Sequence, residues 1–447
     1  MFHRLILSAL KEWSEFKYRK PLVLRGARQV GKTTAVRMFG KNFDTYIELN
    51  LEDKADRDVF VSGTDVQTVF NLIIVTKKIT QTGKRILLFI DEIQNSPEAM
   101  QSLRYFYEKM PELYVIAAGS LLDIYIRRNR LEIAVGRIEY LWMYPCTFDE
   151  FLVATGQDNL LALMNNIPFP DHAYNILRRA FSEFALIGGM PEVIQSWSES
   201  NNLADVRKVQ DNIILSFTDD AVKYAATSDQ ANVLKHIFRV VYNEVCRQVT
   251  FEGFGKSDFK SQQIKNSVVL LEQASLLHLL YPYTSSDLPS IPKRSKRPKL
   301  LFLDTGFINM QANIQADYFT ATNLNSIYKG IAMEHLVGQQ LIAMSKKQGF
   351  ELGFWVRNAR GSSAEVDFVI IWKNMMIPVE VKSGKTGTLK SLMLFMDEAP
   401  HNLAVRIYDG KTSLEKHKTP SGKEFKLLNL NLGLTTKIID YIGNSVN

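Results

Sequence analysis

Cysteine is scarce in this chain. Its 447 residues hold only Cys146 and Cys246, with no metal-ligand spacing and no disulfide framework, so a reduced, intracellular protein is expected. Long apolar runs are missing as well. No stretch approaches the roughly 18 to 20 residues of a membrane span, and Met1-Phe2-His3-Arg4-Leu5-Ile6-Leu7 acquires charge too soon for a signal peptide. The expectation is a cytoplasmic chain with no membrane attachment. Internal repeats and low-complexity segments are absent. Charge of one sign is only slightly in excess: 54 Lys and Arg against 47 Asp and Glu leave a net +7. That bias permits a nucleic-acid partner without arguing for one. The densest basic run, Lys293-Arg294-Ser295-Lys296-Arg297-Pro298-Lys299, reads first as a solvated loop and second as a phosphate-contacting patch. What is present is an ordinary share of apolar residues, 46%, enough for a sizeable core over roughly two to four domains.

Residues 1–20 read as a helix. Leu22-Val23-Leu24 is a buried strand, Thr34–Phe39 continues a helix, and Gly40 ends it. Tyr46–Leu51, Ile86–Ile90 and Tyr114–Ala118 are further strands, with helical spacing over 65–81 and 97–110. Strands alternating with helices, with unbroken apolar strands, indicate a parallel sheet covered on both faces. Residues 151–285 are mostly helical by period. Val233–Val245 and Ser261–Leu277 are amphipathic helices, and Leu279–Tyr283 is a short strand. That order suits a winged-helix arrangement with the basic run in or near the wing. Mixed character returns after residue 300: a helix over Tyr328–Ser345, then strands at Phe354–Val356, Val366–Ile371 and Ile377–Lys382.

One pattern carries chemistry. Gly26, Gly31, Lys32 and Thr33 satisfy Gly-x4-Gly-Lys-Thr within Gly26-Ala27-Arg28-Gln29-Val30-Gly31-Lys32-Thr33, with Thr34 following. The glycines let successive N–H groups face a phosphate chain, Lys32 neutralises its oxygens, and the Thr33 hydroxyl is a magnesium ligand. The helix that starts there adds its positive end. Asp91-Glu92 close an apolar strand where open α/β sheets bind ligands. Asp91 is expected to hold magnesium and Glu92 to polarise the attacking water. Ser120 ends the next strand, where it is either a γ-phosphate sensor or a turn serine. Arg137 is either an arginine finger, in cis or from a neighbouring subunit, or one half of a salt bridge to Glu139 or another carboxylate.

These residues carry a family resemblance. Leu24–Thr33, Leu88–Gln94, Ala134–Arg137 and Tyr144–Phe151 resemble the AAA-superfamily ATPases of bacteria and archaea. Gly188-Gly189-Met190-Pro191-Glu192, Lys299–Gly306 and Ala364–Phe368 are similar to marks of the domain of unknown function that such proteins carry. The resemblance implies an α/β AAA-type P-loop ATPase domain over 1–150. A mostly helical, winged-helix-like region over 151–300 and an α/β restriction-endonuclease-like domain over 301–447 follow. It also implies ATP, over other nucleotides, with Mg2+. Where the family usually shows further small polar residues, this chain has Ala118-Gly119-Ser120-Leu121.

Near the C-terminus, Asp367 lies on one strand and Glu380 and Lys382 share a face of the next. Asp-x12-Glu-x-Lys resembles the active site of PD-(D/E)xK nucleases, in which two carboxylates hold magnesium and the lysine serves the attacking water. Glu334, on the preceding helix, is a candidate addition, and Glu365 shares the face of Asp367. A solvent-exposed face with a cross-strand ion pair is the competing reading. The functional expectation is an ATP-hydrolysing protein whose nucleotide state controls the C-terminal domains and bears on DNA or RNA. The alternative is a non-catalytic ATP-dependent switch that recruits a protein partner in signalling or defence. Either reading allows a homo-oligomer.

Overall fold

The computed structural model describes residues 2–80, 83–120, 122, 124, 136–223, 225–314, 330–358, 364–382 and 389–446. The chain forms two compact units. One is His3–Tyr144 with Gln273–Leu276; the other is built mainly from Pro145–Glu272 and Leu277–Asn447.

The first unit grows from short strands that are apolar on both faces. β1 (Leu22–Arg25), β2 (Thr45–Asn50), β3 (Ile86–Asp91), β4 (Tyr114–Ala118) and β5 (Glu139–Trp142) form one parallel sheet in the order β2-β3-β4-β1-β5. Helices Lys32–Gly40, Val66–Thr76 and Pro97–Lys109 lie between them in sequence. Val23, Ile47, Leu49, Leu88, Ile90 and Val115 pack with Val69, Ile73, Leu103 and Phe106, each contributing about 1.5–3 kcal/mol through burial. The helix starts are fixed locally. Asp65 accepts from the Gln67 N–H, and Ser96 accepts from the Ala99 N–H ahead of Pro97. The first helix is shorter than expected, Ile6–Glu15. β5 goes beyond the sequence expectation because its half-buried edge pattern lacks the apolar run of a central strand. The strand order has one consequence for chemistry: β4 separates β1 from β3, so groups at their ends meet over Gly119-Ser120.

The second unit begins with helices, among them Phe148–Ala154, Tyr174–Ile187, Pro191–Ser200 and Leu203–Lys223. The helix expected over Val233–Val245 is Ser228–Val240, followed by a short turn of 3-10 helix. The helix from Ser261 stops at Gln273, and β6 (Leu277–Leu280) pairs antiparallel with β8 (Lys299–Phe302). Leu279–Tyr283 is therefore not one strand. Pro282 has no N–H for the β6 ladder, and β7 (Pro282–Tyr283) joins another sheet beside β9 (Glu351–Val356). That sheet runs β13-β14-β12-β11-β10-β9-β7. Its further strands are β10 (Glu365–Trp372), β11 (Met375–Lys382), β12 (Leu403–Tyr408), β13 (Ser413–Lys418) and β14 (Glu424–Asn431). The mostly helical region followed by an α/β sheet agrees with the expected fold class.

Two of the family-like motifs turn out to pack against each other. Gly188 has φ 84, and a Cβ there would lie 1.9 Å from Asp304 Oδ1. Asp304 is fully buried. Its Oδ2 accepts from Gly189 N (2.6 Å) and Gln339 Nε2 (2.8 Å), and its Oδ1 from Gly306 N (2.9 Å). Burial raises the Asp304 carboxyl to about 6, against the pull of these donors. The Gly-Gly and Asp-Thr-Gly signatures here are a buried polar joint, which must be satisfied in full to be tolerated.

Candidate nucleotide site and C-terminal carboxylate cluster

The phosphate loop is shaped by its glycines. Gly26 has φ 142, and a Cβ would stand 2.1 Å from the Met143 carbonyl; Gly31 has φ 95. Arg4, which the sequence did not single out, braces the loop through Nη1 to the Val30 carbonyl at 2.7 Å and Nη2 to the Tyr144 carbonyl at 2.9 Å. The helix Lys32–Gly40 starts without a side-chain cap, so its first N–H groups are available to an anion. Lys32 is buried and turned back onto the loop, donating to the carbonyls of Gly26 (2.9 Å) and Ala27 (2.8 Å). Burial lowers its ammonium to about 8, against the opposing pull of Glu92 and Asp91. An uncapped helix start with a buried ammonium beside it fits a phosphate chain.

The acidic pair reaches the same place. The Thr33 hydroxyl donates to Asp91 Oδ2 at 2.6 Å, which joins the helix after β1 to the end of β3. Burial raises the Asp91 carboxyl, and the Thr33 bond partly offsets that. An oxygen pair of this kind fits magnesium. Glu92 adopts φ 50 and ψ 45, and Gln94 Nε2 donates to its Oε2 at 2.5 Å. Gln94 is a residue that sequence reasoning missed. A Cβ on Gly119 would come within 2.3 Å of Gln94 Oε1, so a larger residue there would push the Gln94 amide aside. Ser120 follows, buried.

Residues 18–152 match the family model for the AAA domain. The N-terminal domain is a P-loop ATPase domain of the AAA type. Residues 178–318 and 329–428 match two domains of unknown function, DUF8612 and DUF4143. Among solved structures, the chain is similar to the Walker-type ATPase PABY2304 of Pyrococcus abyssi, with 14% identity, 70% of this chain and 96% of that chain covered, and a TM-score of 0.44. It is similar to the Aeropyrum pernix ORC1 protein in complex with DNA, at 14% identity, 70% and 93% coverage and a TM-score of 0.28. It is also similar to the RuvB Holliday junction branch migration motor of Thermotoga maritima, at 16% identity, 65% and 89% coverage and a TM-score of 0.28. No curated protein matches the chain.

Within the AAA domain, Arg137 requires a correction. It precedes β5, and Glu139 on that strand pairs with Leu22, the first residue of β1. Arg137 therefore lies at the N-terminal edge of the sheet, about 13 Å of strand away from the phosphate loop at the other edge. The register sets it at the opposite edge from the loop within this chain. Arg137 instead bonds Glu108 Oε1 at 3.0 Å, beside Arg104, while Glu139 accepts from the Lys20 N–H.

The second cluster lies in the other unit. Register in the β10–β11 hairpin pairs Phe368 with Val379, which sets Asp367 opposite Glu380. Glu334 enters from the helix Gly330–Gln348. The residues come together in one cluster, with Glu380 Oε2 buried and without a hydrogen-bond partner among the described residues. Among the described residues, no three His, Cys, Asp or Glu side chains are placed to hold one metal ion. Asp367 Oδ2 accepts from Val381 N at 2.8 Å, and Lys382 Nζ bonds Glu380 Oε1 at 2.6 Å. Between the carboxylates sits a residue the sequence left in the basic run, Lys299. Its fully buried ammonium is 2.7 Å from Glu334 Oε1 and 2.7 Å from Glu365 Oε1, and donates to the Asp367 carbonyl at 3.1 Å. Burial works against this charge, but Glu334, Glu365 and Asp367 outweigh it and hold Lys299 above its ordinary value. Burial also raises Asp367 and Glu380, the latter to about 7.

Proposed function

We propose that the AAA domain binds ATP with magnesium and hydrolyses it, and that the cycle controls the C-terminal half of the chain. The observation that carries this reading is the 2.6 Å bond from Thr33 to Asp91, which puts the two expected magnesium ligands beside the buried Lys32. Gly26 to Thr34 wrap the phosphates, and Lys32 exchanges its loop carbonyls for phosphate oxygens. Thr33 and Asp91 would hold magnesium, which would supply charge stabilisation of the phosphoryl oxygens. Gln94 engages Oε2 of Glu92, and Oε1 is the oxygen we assign to take the proton of the attacking water. Ser120, at the end of β4, reads the γ-phosphate. Arg137 reaches a nucleotide only on a neighbouring copy of the chain. The test is magnesium-dependent ATP turnover of wild type, Lys32→Ala and Glu92→Gln. Glu92→Gln is expected to lose about a hundredfold or more in kcat while still binding ATP. Equal turnover in all three proteins would exclude the reading.

For the C-terminal half we favour contact with nucleic acid. The supporting feature is the β6–β8 pair after the helix Ser261–Gln273. The connection into β8 carries exposed Lys293, Arg294 and Arg297 and half-buried Lys296. Phosphate neutralised by these side chains releases counterions. Replacing Lys293, Arg294 and Arg297 by Ala should weaken duplex DNA binding and lower the slope of its salt dependence by about three. An unchanged slope in fluorescence anisotropy would remove the loop from the interface.

A further inference from the structure

We propose, on the reading that the phosphate loop binds ATP, that Arg4 is a positioning residue of the nucleotide site. Its guanidinium couples the loop to Met143–Cys146, the segment by which the chain leaves the first unit and enters the second. Nucleotide binding is thereby felt where the second unit begins.

Arg4 is buried just ahead of the first helix. One arm of its fork holds the Val30 carbonyl at 2.7 Å and the other the Tyr144 carbonyl at 2.9 Å. Val30 lies toward the helix end of the loop, away from Gly26. Tyr144 is the last residue of the first unit. A planar guanidinium presents its N–H groups at fixed angles, so Arg4 sets the distance between these two carbonyls.

The other end of the loop is fastened to the same segment. The Met143 N–H donates to the Arg25 carbonyl at 2.8 Å, which carries the β1–β5 pairing one step beyond Trp142. The Met143 carbonyl lies against Gly26, where a Cβ would stand 2.1 Å from it. Gly26 is also a residue whose carbonyl Lys32 holds, at 2.9 Å. When Lys32 turns to phosphate, that carbonyl is released, and Gly26 has no slack against Met143 in which to absorb the change. The two nucleotide states therefore differ in their contacts at this segment, as any coupling requires.

Beyond Tyr144 the chain is stiff. The residue before a proline is restricted to extended backbone, and Pro145 has a fixed φ. Within the second unit, the Cys146 N–H donates to the Gly189 carbonyl at 2.7 Å, and a Cβ on Gly189 would lie 2.3 Å from the Cys146 carbonyl. The Gly189 N–H donates in turn to Asp304. Met143-Tyr144-Pro145-Cys146 thus has close contacts at both ends and no glycine between them. It passes a shift on to the buried Asp304 joint.

The test is amide hydrogen exchange of the full chain, with and without magnesium and a non-hydrolysable ATP analogue, in wild type, Arg4→Met and Arg4→Lys. In wild type the analogue should slow exchange about fivefold or more both in the loop, 26–34, and over 143–151. Arg4→Met should keep the slowing in the loop and lose it over 143–151. Arg4→Lys, with one compact ammonium for two carbonyls, should fall between. A brace with no part in coupling behaves differently: its loss speeds exchange without the analogue but leaves the analogue's effect on 143–151 intact. That result in Arg4→Met would overturn the proposal. So would a wild type slowed in the loop but unchanged over 143–151, an outcome that leaves ATP binding standing. No slowing in either segment would remove both readings. Should Arg4→Met fail to fold or to bind the analogue, Arg4→Lys decides, and an effect over 143–151 equal to that in wild type counts against the coupling.

Discussion

Two buried lysines sit among carboxylates in this chain, and they are held in opposite ways. Among the described residues, Lys32 bonds only main-chain carbonyls of its own loop, and burial brings its ammonium down to about 8. Lys299 bonds two carboxylates directly and is held above its ordinary value. The first has weak neutral partners that an anion can replace. The second is already in direct contact with two carboxylates. The same residue type is thus poised for a ligand in one unit and locked as a cross-link in the other. The number of acids nearby does not separate the cases; direct contact does.

The largest stability effect expected from this difference is at Lys299. Removing one partner of a buried ion cluster costs about 3–5 kcal/mol, so Lys299→Met should lower the midpoint of urea unfolding of the second unit sharply. Lys32→Ala, which removes an ammonium bonded only to carbonyls, should leave the first unit far less affected. If the two variants lose equal stability, the contrast fails. Next in size is the buried joint at Asp304. Asn at this position keeps one acceptor and turns an amide N–H toward the donors of Gly189 and Gln339. A loss of about 2–3 kcal/mol is expected in the same measurement, and a neutral result would mean that the joint is not sealed from water.

The smallest effect sharpens the picture of Lys32. With an ammonium near 8 in the nucleotide-free protein, contact with phosphate raises its pKa. Between the two values, binding takes up a proton, so ATP affinity must fall as pH rises past about 8. The fall is at most about tenfold per pH unit, and calorimetric titration between about pH 7 and pH 9 reads it. Lys32→Arg should flatten the profile, because a guanidinium stays charged throughout. A wild-type affinity independent of pH would mean that Lys32 is not in contact with the phosphates.

The first site was legible because its information is local. Gly26 to Thr33 lie in one turn, and Asp91 announces itself by closing an apolar strand. The partner of Arg137 was not legible. Its position depends on β5, a half-buried edge strand, and on the register that pairs Glu139 with Leu22. Gln94 was hidden for a similar reason: its role arises from a close approach to Gly119 across two strand ends. The C-terminal acids were found by spacing, but their cation was not. Lys299 is the last member of a basic run whose other lysines and arginines are exposed or half-buried. Only the pairing of β8 with β6 takes it inside. Likewise, Gly188 and Asp304 carried family-like motifs whose structural purpose requires contact across more than a hundred residues.

The contrast between the lysines is tested most directly by thermal unfolding of wild type, Lys32→Ala and Lys299→Met, each with and without magnesium and ATP. Lys32→Ala should keep the nucleotide-free transition and lose its rise with ATP. Lys299→Met should lose several degrees without nucleotide and keep the ATP-dependent rise of the first unit. An ATP-dependent rise that survives Lys32→Ala, or a nucleotide-free transition unmoved by Lys299→Met, would contradict the account.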